Sequence, residues 1–104
     1  MFEKKADPFY KSTKWKRKRQ SILRRDKYQC QLSRRYGRIV QADTVHHILP
    51  REDYPQYQLC DWNLISLSTA EHNKMHDRMT NELTAEGRRL ANEILRKRKT
   101  DEMK

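Results

Sequence analysis

Val45-His46-His47-Ile48-Leu49-Pro50 places two adjacent histidines in a short apolar run that ends at a proline. All four histidines of the chain lie in the segment from His46 to His76. His72 and His76 stand four positions apart in a stretch expected to be helical, so one helical turn would stack them on one face. This concentration of imidazoles in a small protein predicts a metal site.

The rest of the chain is basic and polar. It has 104 residues, enough for one domain, and only 35% of them are hydrophobic, which predicts a small core. Lys and Arg number 24 against 14 acidic residues, and the formal net charge of +10 favours a polyanionic partner, most simply nucleic acid. Two cysteines and no signal peptide indicate a reducing, cytoplasmic compartment. No apolar run reaches the roughly 20 residues of a membrane span.

Short strands are predicted on both sides of a loop at 51–62 that carries three aromatic residues. The β-branched residues of 44–48 predict one strand, and 64–67 predicts a second strand that pairs back on it. Ile39-Val40 predicts a further short strand.

Three helices are predicted from apolar spacing and capping residues. They cover about 12–25, the stretch from Thr69 to about Arg78, and about 84–98. Ser68 and Glu71 fit a capping box at the start of the second helix. This helix would carry the two downstream histidines.

The spacing of the histidines divides them into two roles. Three imidazoles can hold one ion and leave a coordination position open for water or substrate. His46 and His47 are adjacent in a strand, so their side chains point to opposite faces and only one can join the downstream pair. The other imidazole would be free to act as a general base. Spacing therefore predicts three ligands and one base, without deciding which member of the doublet is which.

The doublet, Asn63 and the downstream histidine pair together resemble the motif of the HNH endonucleases, which have the ββα-metal (His-Me finger) fold. The resemblance extends over about 9–78 and is greatest to the small HNH endonucleases of bacteriophages. It implies an α+β fold with a single nuclease domain over 1–104, a motif core at about 39–78 and flanking N- and C-terminal helices. The resemblance to the family also includes Phe9-Tyr10-Lys11-Ser12, Trp15, Arg25-Asp26, Cys30-Gln31, Gly37, Pro50, Leu64-Ile65-Ser66-Leu67 and Asn73.

The resemblance implies a DNA endonuclease that hydrolyses phosphodiester bonds with one divalent ion, which could be Mg, Mn, Ni, Co or Zn. By the family's pattern His46 and His72 are metal ligands, and His76 is the additional ligand of the colicin-like members. The same pattern makes His47 the general base and lets Asn63 brace the neighbouring loop and orient that base. Basic residues near the motif could contact DNA phosphates or be ordinary surface charges, namely Arg51, Lys74 and Arg78.

One departure from the family concerns its structural zinc. Many members hold this ion with two Cys-x-x-Cys pairs, but here the corresponding positions are Cys30 with Ser33, and Ser68 with Glu71. We therefore predict no structural zinc and expect Cys30 to be a small buried hydrophobic residue. The phage-like resemblance also implies a host-cytoplasmic location and a link to DNA packaging, with terminase or packaging proteins as partners.

A DNA-binding module with a purely structural metal is the alternative. In such a protein all four histidines would bind the ion and close its coordination shell to water. The adjacent doublet argues against this arrangement, because His46 and His47 cannot easily face one ion.

Overall fold

The computed structural model describes residues 7–102, so residues 1–6 and 103–104 of the predicted domain lie outside it. The two strands form an antiparallel sheet, and a helix at Thr69–Asn73 follows the second strand directly. This arrangement confirms the predicted α+β fold with flanking helices. In chain order the elements are α1 (Pro8–Lys11), α2 (Thr13–Arg25), α3 (Gln31–Arg35), β1 (Thr44–His47), β2 (Leu64–Leu67), α4 (Thr69–Asn73) and α5 (Ala85–Glu102), with short 3-10 helices at Pro55–Tyr57 and Asp61–Asn63.

The register of the sheet places Thr44 opposite Leu67 and His47 opposite Leu64. The predicted strand at Ile39-Val40 is wrong. Within residues 7–102 this stretch has no partner strand. The Val40 carbonyl accepts from the Cys30 amide at 2.7 Å, and Gln29 and Gln41 form an isolated bridge just beyond it. Ile39 is accordingly 85% exposed.

The outer edge of β2 is covered by side chains from the end of α2. The Arg25 guanidinium donates to the Leu64 carbonyl at 2.6 Å, and the Asp26 carboxylate accepts from the Ser66 amide at 3.0 Å. Arg25 and Asp26 also pair with each other at 2.9 Å. These side chains use backbone groups that a third strand would otherwise use, so they protect the edge and attach α2 to the sheet.

The core is divided by the sheet into two apolar clusters. Strand alternation sends Val45 and Leu64 toward α2, and sends Ile65 and Leu67 toward α5. Cys30 is fully buried in the second cluster, as predicted. The first cluster contains Trp15, Ile22, Leu23, Ala42, Val45 and Leu64, and the second contains Cys30, Ile48, Ile65, Leu67, Met75 and Leu90.

Helix α4 is much shorter than predicted, because it ends at Asn73 rather than near Arg78. Its start agrees with the prediction, since the Ser68 hydroxyl accepts from the Glu71 amide at 3.2 Å. Beyond Asn73 the backbone of 75–77 pairs with 82–84 instead of continuing the helix. The amide of Asp77 donates to the carbonyl of Glu82 at 2.7 Å, and the amide of Thr84 donates to the carbonyl of Met75 at 2.9 Å.

Helix α5 begins directly after this pairing, and the Thr84 hydroxyl accepts from the Gly87 amide at 3.2 Å. Its residues Leu90 and Ile94 pack in the second cluster. Leu95 is instead 39% exposed, and Ala91 is buried. No helix within 7–102 has both the length and the apolar character that crossing a membrane would require.

Gly87 lies where α5 passes close to the backbone of Met75 and to Leu83. Helix propensity alone predicts that alanine here would stabilise the protein by about 1 kcal/mol. A Cβ at this position would, however, lie 2.4 Å from the Met75 carbonyl oxygen and 2.9 Å from the Leu83 side chain. Because a backbone oxygen cannot move aside easily, we expect Gly87→Ala to lower the free energy of unfolding by roughly 1–3 kcal/mol.

Urea denaturation measures this effect, with Asn92→Ala as the control on the exposed side of the same helix. The control should be neutral or stabilising by up to about 0.7 kcal/mol, since alanine is the better helix former. A stabilised Gly87→Ala variant would contradict the close approach of the two segments.

Candidate metal centre

Three imidazoles from separate segments converge beside the sheet. His46 comes from β1, His72 from α4, and His76 from the bridge to Leu83. The ring centroid of His46 lies 5.2 Å from that of His72 and 5.3 Å from that of His76, and the latter two are 5.7 Å apart. One ring nitrogen from each residue lies within 4.8 Å of the others, so a single ion could contact all three.

The surroundings of His46 fit a metal ligand. The residue is 1% exposed, and neither of its ring nitrogens has a hydrogen-bond partner within residues 7–102. A buried polar atom without a partner is costly, and coordination of an ion would satisfy one of these two nitrogens. Burial, with the neighbouring His72 and His76, holds the pKa of His46 well below its ordinary value. The ring is therefore neutral, which is the form that binds metals.

His76 reaches the cluster through a turn and not through helical spacing. The predicted stacking of His72 and His76 on one helix is wrong, because α4 ends between them. The Nδ1 of His76 instead lies 3.3 Å from the carbonyl oxygen of Asn81. If Nδ1 carries the proton and donates it there, Nε2 is left with a free lone pair.

The loop that supplies this carbonyl is organised by Asp77. Its carboxylate accepts hydrogen bonds from the amides of Met79 at 2.8 Å and Thr80 at 3.0 Å. Asn81 then adopts a positive φ of 62°, which asparagine tolerates better than most residues. Sequence reasoning missed Asn81, although an asparagine shortly after an Asp-initiated turn is a signal that could have found it.

His47 occupies a different environment from its neighbour in the doublet. Its ring stacks on Trp15 with centroids 5.0 Å apart, and its Nε2 lies 2.9 Å from the Gln58 carbonyl oxygen. Since a carbonyl can only accept, Nε2 carries the proton and Nδ1 is unprotonated in the neutral ring. Burial lowers the pKa of His47 to about 4, so the ring is neutral at pH 7. Sequence reasoning also missed the Gln58 carbonyl, because every residue has a backbone carbonyl and the sequence does not show which one contacts His47.

Asn63 is fully buried and binds the loop between the strands. Its side-chain oxygen accepts from the Leu49 amide at 2.7 Å, and its amide group donates to the carbonyls of Leu49 at 3.1 Å and Tyr57 at 3.2 Å. These bonds close the loop next to the residue whose carbonyl contacts His47. Asn63 therefore holds the segment from which the Gln58 carbonyl reaches His47.

All four histidines line one open groove of about 690 Å³. Arg51, one of the three basic residues considered for phosphate contacts, also lines this groove. Lys74 pairs with Glu71 at 3.2 Å, and Arg78 is exposed on the loop after His76. The groove therefore combines three converging imidazoles, a fourth with a defined tautomer and a guanidinium.

Comparison with known proteins finds one similar solved structure. The crystal structure of an HNH endonuclease from the deep-sea thermophilic bacteriophage GVE2, with manganese ion, matches with a TM-score of 0.62 and 38% sequence identity. The match covers 64% of this chain and 72% of the phage protein. No protein-family model and no curated protein matches the chain.

Proposed function

Because this chain belongs to the HNH endonuclease family, we propose that it cleaves DNA with His47 as the general base and one divalent ion held by His46, His72 and His76. As a member of the family it is a hydrolase of phosphodiester bonds and a metal-dependent nuclease. The observation that carries the residue assignment is the contrast within the doublet. His46 is buried beside two other imidazoles, and neither of its ring nitrogens has a partner within residues 7–102, whereas His47 has one nitrogen bound and one available.

The mechanism follows from the protonation state of His47. Nδ1 takes a proton from a water molecule, which attacks the phosphorus in line with the departing 3′ oxygen. Nε2 keeps its proton and donates a hydrogen bond to the Gln58 carbonyl, and this bond orients the ring so that Nδ1 is the nitrogen left for the water. A divalent ion at the three imidazoles would supply positive charge to a phosphate oxygen and to the leaving oxygen. The departing 3′ oxygen takes a proton from solvent, so the products would carry 5′-phosphate and 3′-hydroxyl ends.

The identity of the ion is part of this proposal. Imidazole ligands suit Zn, Ni and Co, while Mg and Mn prefer oxygen ligands. The GVE2 enzyme structure nonetheless contains manganese, which supports Mn among the five candidates Mg, Mn, Ni, Co and Zn for this chain. DNA would be the substrate, held mainly through its phosphates, as the net charge of +10 supports.

A plasmid-nicking assay tests the function. Supercoiled plasmid is incubated with the purified protein and each of the five ions, and in parallel with excess chelator. We expect cleavage with at least one ion and none with chelator. DNA binding without cleavage under any ion would favour the alternative, a DNA-binding module whose metal is purely structural.

A link to DNA packaging is a second part of the proposal, and the phage origin of the similar structure supports it. The chain would then act in the host cytoplasm together with terminase or other packaging proteins. Pull-down with the tagged protein from infected cells tests this, and recovery of no packaging protein would count against it.

Asn63→Ala is expected to impair both stability and cleavage. The substitution removes the partners of the Leu49 amide and of two loop carbonyls, at a cost in the free energy of unfolding of about 1–3 kcal/mol for each group that stays buried and unsatisfied. The loop then no longer holds the Gln58 carbonyl firmly against His47, so the cleavage rate falls while the ion stays bound. Urea denaturation, metal titration and nicking assays on the same preparation measure the three effects. Loss of the ion from this variant would contradict the indirect role of Asn63.

A further inference from the structure

Arg51 and Asp7 form an ion pair inside the groove that contains the histidines. The Asp7 carboxylate accepts hydrogen bonds from two different groups. One oxygen accepts from the Phe9 amide at 2.9 Å and so caps α1, and the other accepts from the Arg51 guanidinium. The pair therefore places a negative charge in a groove that, on the proposed function, receives the DNA backbone.

Arg51 is held in place by contacts that do not involve Asp7. Its Nε donates to the side-chain oxygen of Gln58 at 3.1 Å, and its guanidinium carbon lies 3.9 Å from the centre of the Phe9 ring. These contacts orient the guanidinium, and its terminal nitrogen Nη1 donates to the Asp7 carboxylate. A guanidinium held in this way is suited to bind a phosphate, because the same donors match phosphate and carboxylate oxygens.

The two partners differ in how easily they can separate. The Asp7 side chain is 43% exposed, whereas the Arg51 side chain is 21% exposed. An exposed carboxylate regains water when it leaves an ion pair, so such pairs contribute little and are easily exchanged. The guanidinium also keeps the pKa of Asp7 below its ordinary value, so the carboxylate is charged at neutral pH.

We propose that Arg51 is a phosphate-binding residue of this groove and that Asp7 is its internal competitor, which a DNA phosphate displaces. The inference rests on the proposed function, because it requires DNA to enter the groove. It assigns Arg51 a contact with substrate, and it assigns Asp7 the role of an anion that occupies the site in the free protein. Removing the Asp7 charge should therefore tighten DNA binding only where Arg51 is present.

A double-mutant cycle measures this dependence. Fluorescence anisotropy with a labelled duplex gives the affinity of Asp7→Asn, Arg51→Gln and the double variant. All proteins carry His47→Gln and contain Mn²⁺, so that the ion-bound chain binds the duplex intact. Asparagine at position 7 can still cap α1, so this substitution removes the ion pair alone. Asp53→Asn is the matched control, since it changes the net charge equally at an exposed position.

We expect Asp7→Asn to tighten binding by about two- to fivefold beyond the control, the range that corresponds to an exposed ion pair. Arg51→Gln should weaken binding and reduce the slope of log affinity against log salt by about 0.9, the value for one phosphate contact. In the Arg51→Gln background, Asp7→Asn should have no effect beyond the control.

Two results would overturn the proposal. The first is a DNA affinity of Asp7→Asn that is no higher than that of the Asp53→Asn control. The second is a gain in affinity from Asp7→Asn that persists in the Arg51→Gln background. Arg51→Met serves as the second variant if Arg51→Gln melts early, because its stem keeps the packing on Phe9. Nicking by the unmodified protein tests the proposed function separately, so a failure of that function is distinguishable from a failure of this cycle.

Discussion

Replacing His47 with glutamine is expected to reduce the rate of DNA cleavage by about 10²–10⁴-fold, the usual contribution of a positioned general base. The structure explains why this residue should have so large an effect. Its Nε2 is bound to the Gln58 carbonyl at 2.9 Å, which orients the ring and leaves Nδ1 as the atom that would take the proton in the proposed mechanism. Glutamine fills much of the space beside Trp15 and can still donate to that carbonyl, but it cannot accept the proton as imidazole does.

Metal affinity distinguishes this variant from a ligand variant. Calorimetric titration should show that His47→Gln binds the ion nearly as tightly as the unmodified protein, because His47 lies outside the group of three imidazoles. Full cleavage activity in His47→Gln would eliminate the general-base role. Loss of the ion from His47→Gln, together with its retention in His46→Gln, would show that the two roles are reversed.

Replacing His46 with leucine is expected to abolish ion-dependent cleavage and ion-dependent stabilisation together. At an ion concentration of 100 times the dissociation constant, the unmodified protein gains about 2.7 kcal/mol. That gain corresponds to a rise of roughly 10–20 °C in Tm for a domain of this size. The leucine variant should show almost none of this rise, since two imidazoles alone hold a divalent ion weakly.

A second prediction concerns the stability of His46→Leu in the presence of chelator. The ring nitrogens of His46 are buried without partners in residues 7–102, so an apolar side chain there removes an unsatisfied polar group. Without ion, His46→Leu should therefore melt at or above the temperature of the unmodified protein. Thermal denaturation with and without ion measures both effects, and His47→Gln is the control that should keep the ion-dependent rise. A His46→Leu protein that still gains stability from the ion would contradict the assignment of His46 as a ligand.

Several features of the fold could be predicted from local sequence alone. The β-branched run at 44–48 and the apolar run at 64–67 predict paired strands, and the structure has β1 and β2 there. Strand alternation separates His46 from His47, because adjacent side chains in a strand point to opposite faces whatever surrounds them. The Ser68 cap was equally local, since it depends only on a hydroxyl three residues before an amide.

Other features were decided by contacts between segments that are distant in the sequence. The pattern after Asn73 favours a longer helix, but pairing of 75–77 with 82–84 ends α4 and brings His76 to the cluster by another route. Gly87, a weak point by helix propensity, allows α5 to pass the Met75 carbonyl. The Gln58 carbonyl sets the tautomer of His47, and Asp7 forms an ion pair with Arg51. Local sequence determines which side chains a strand or helix offers, whereas backbone carbonyls and close approaches acquire their roles only once the chain has folded around them.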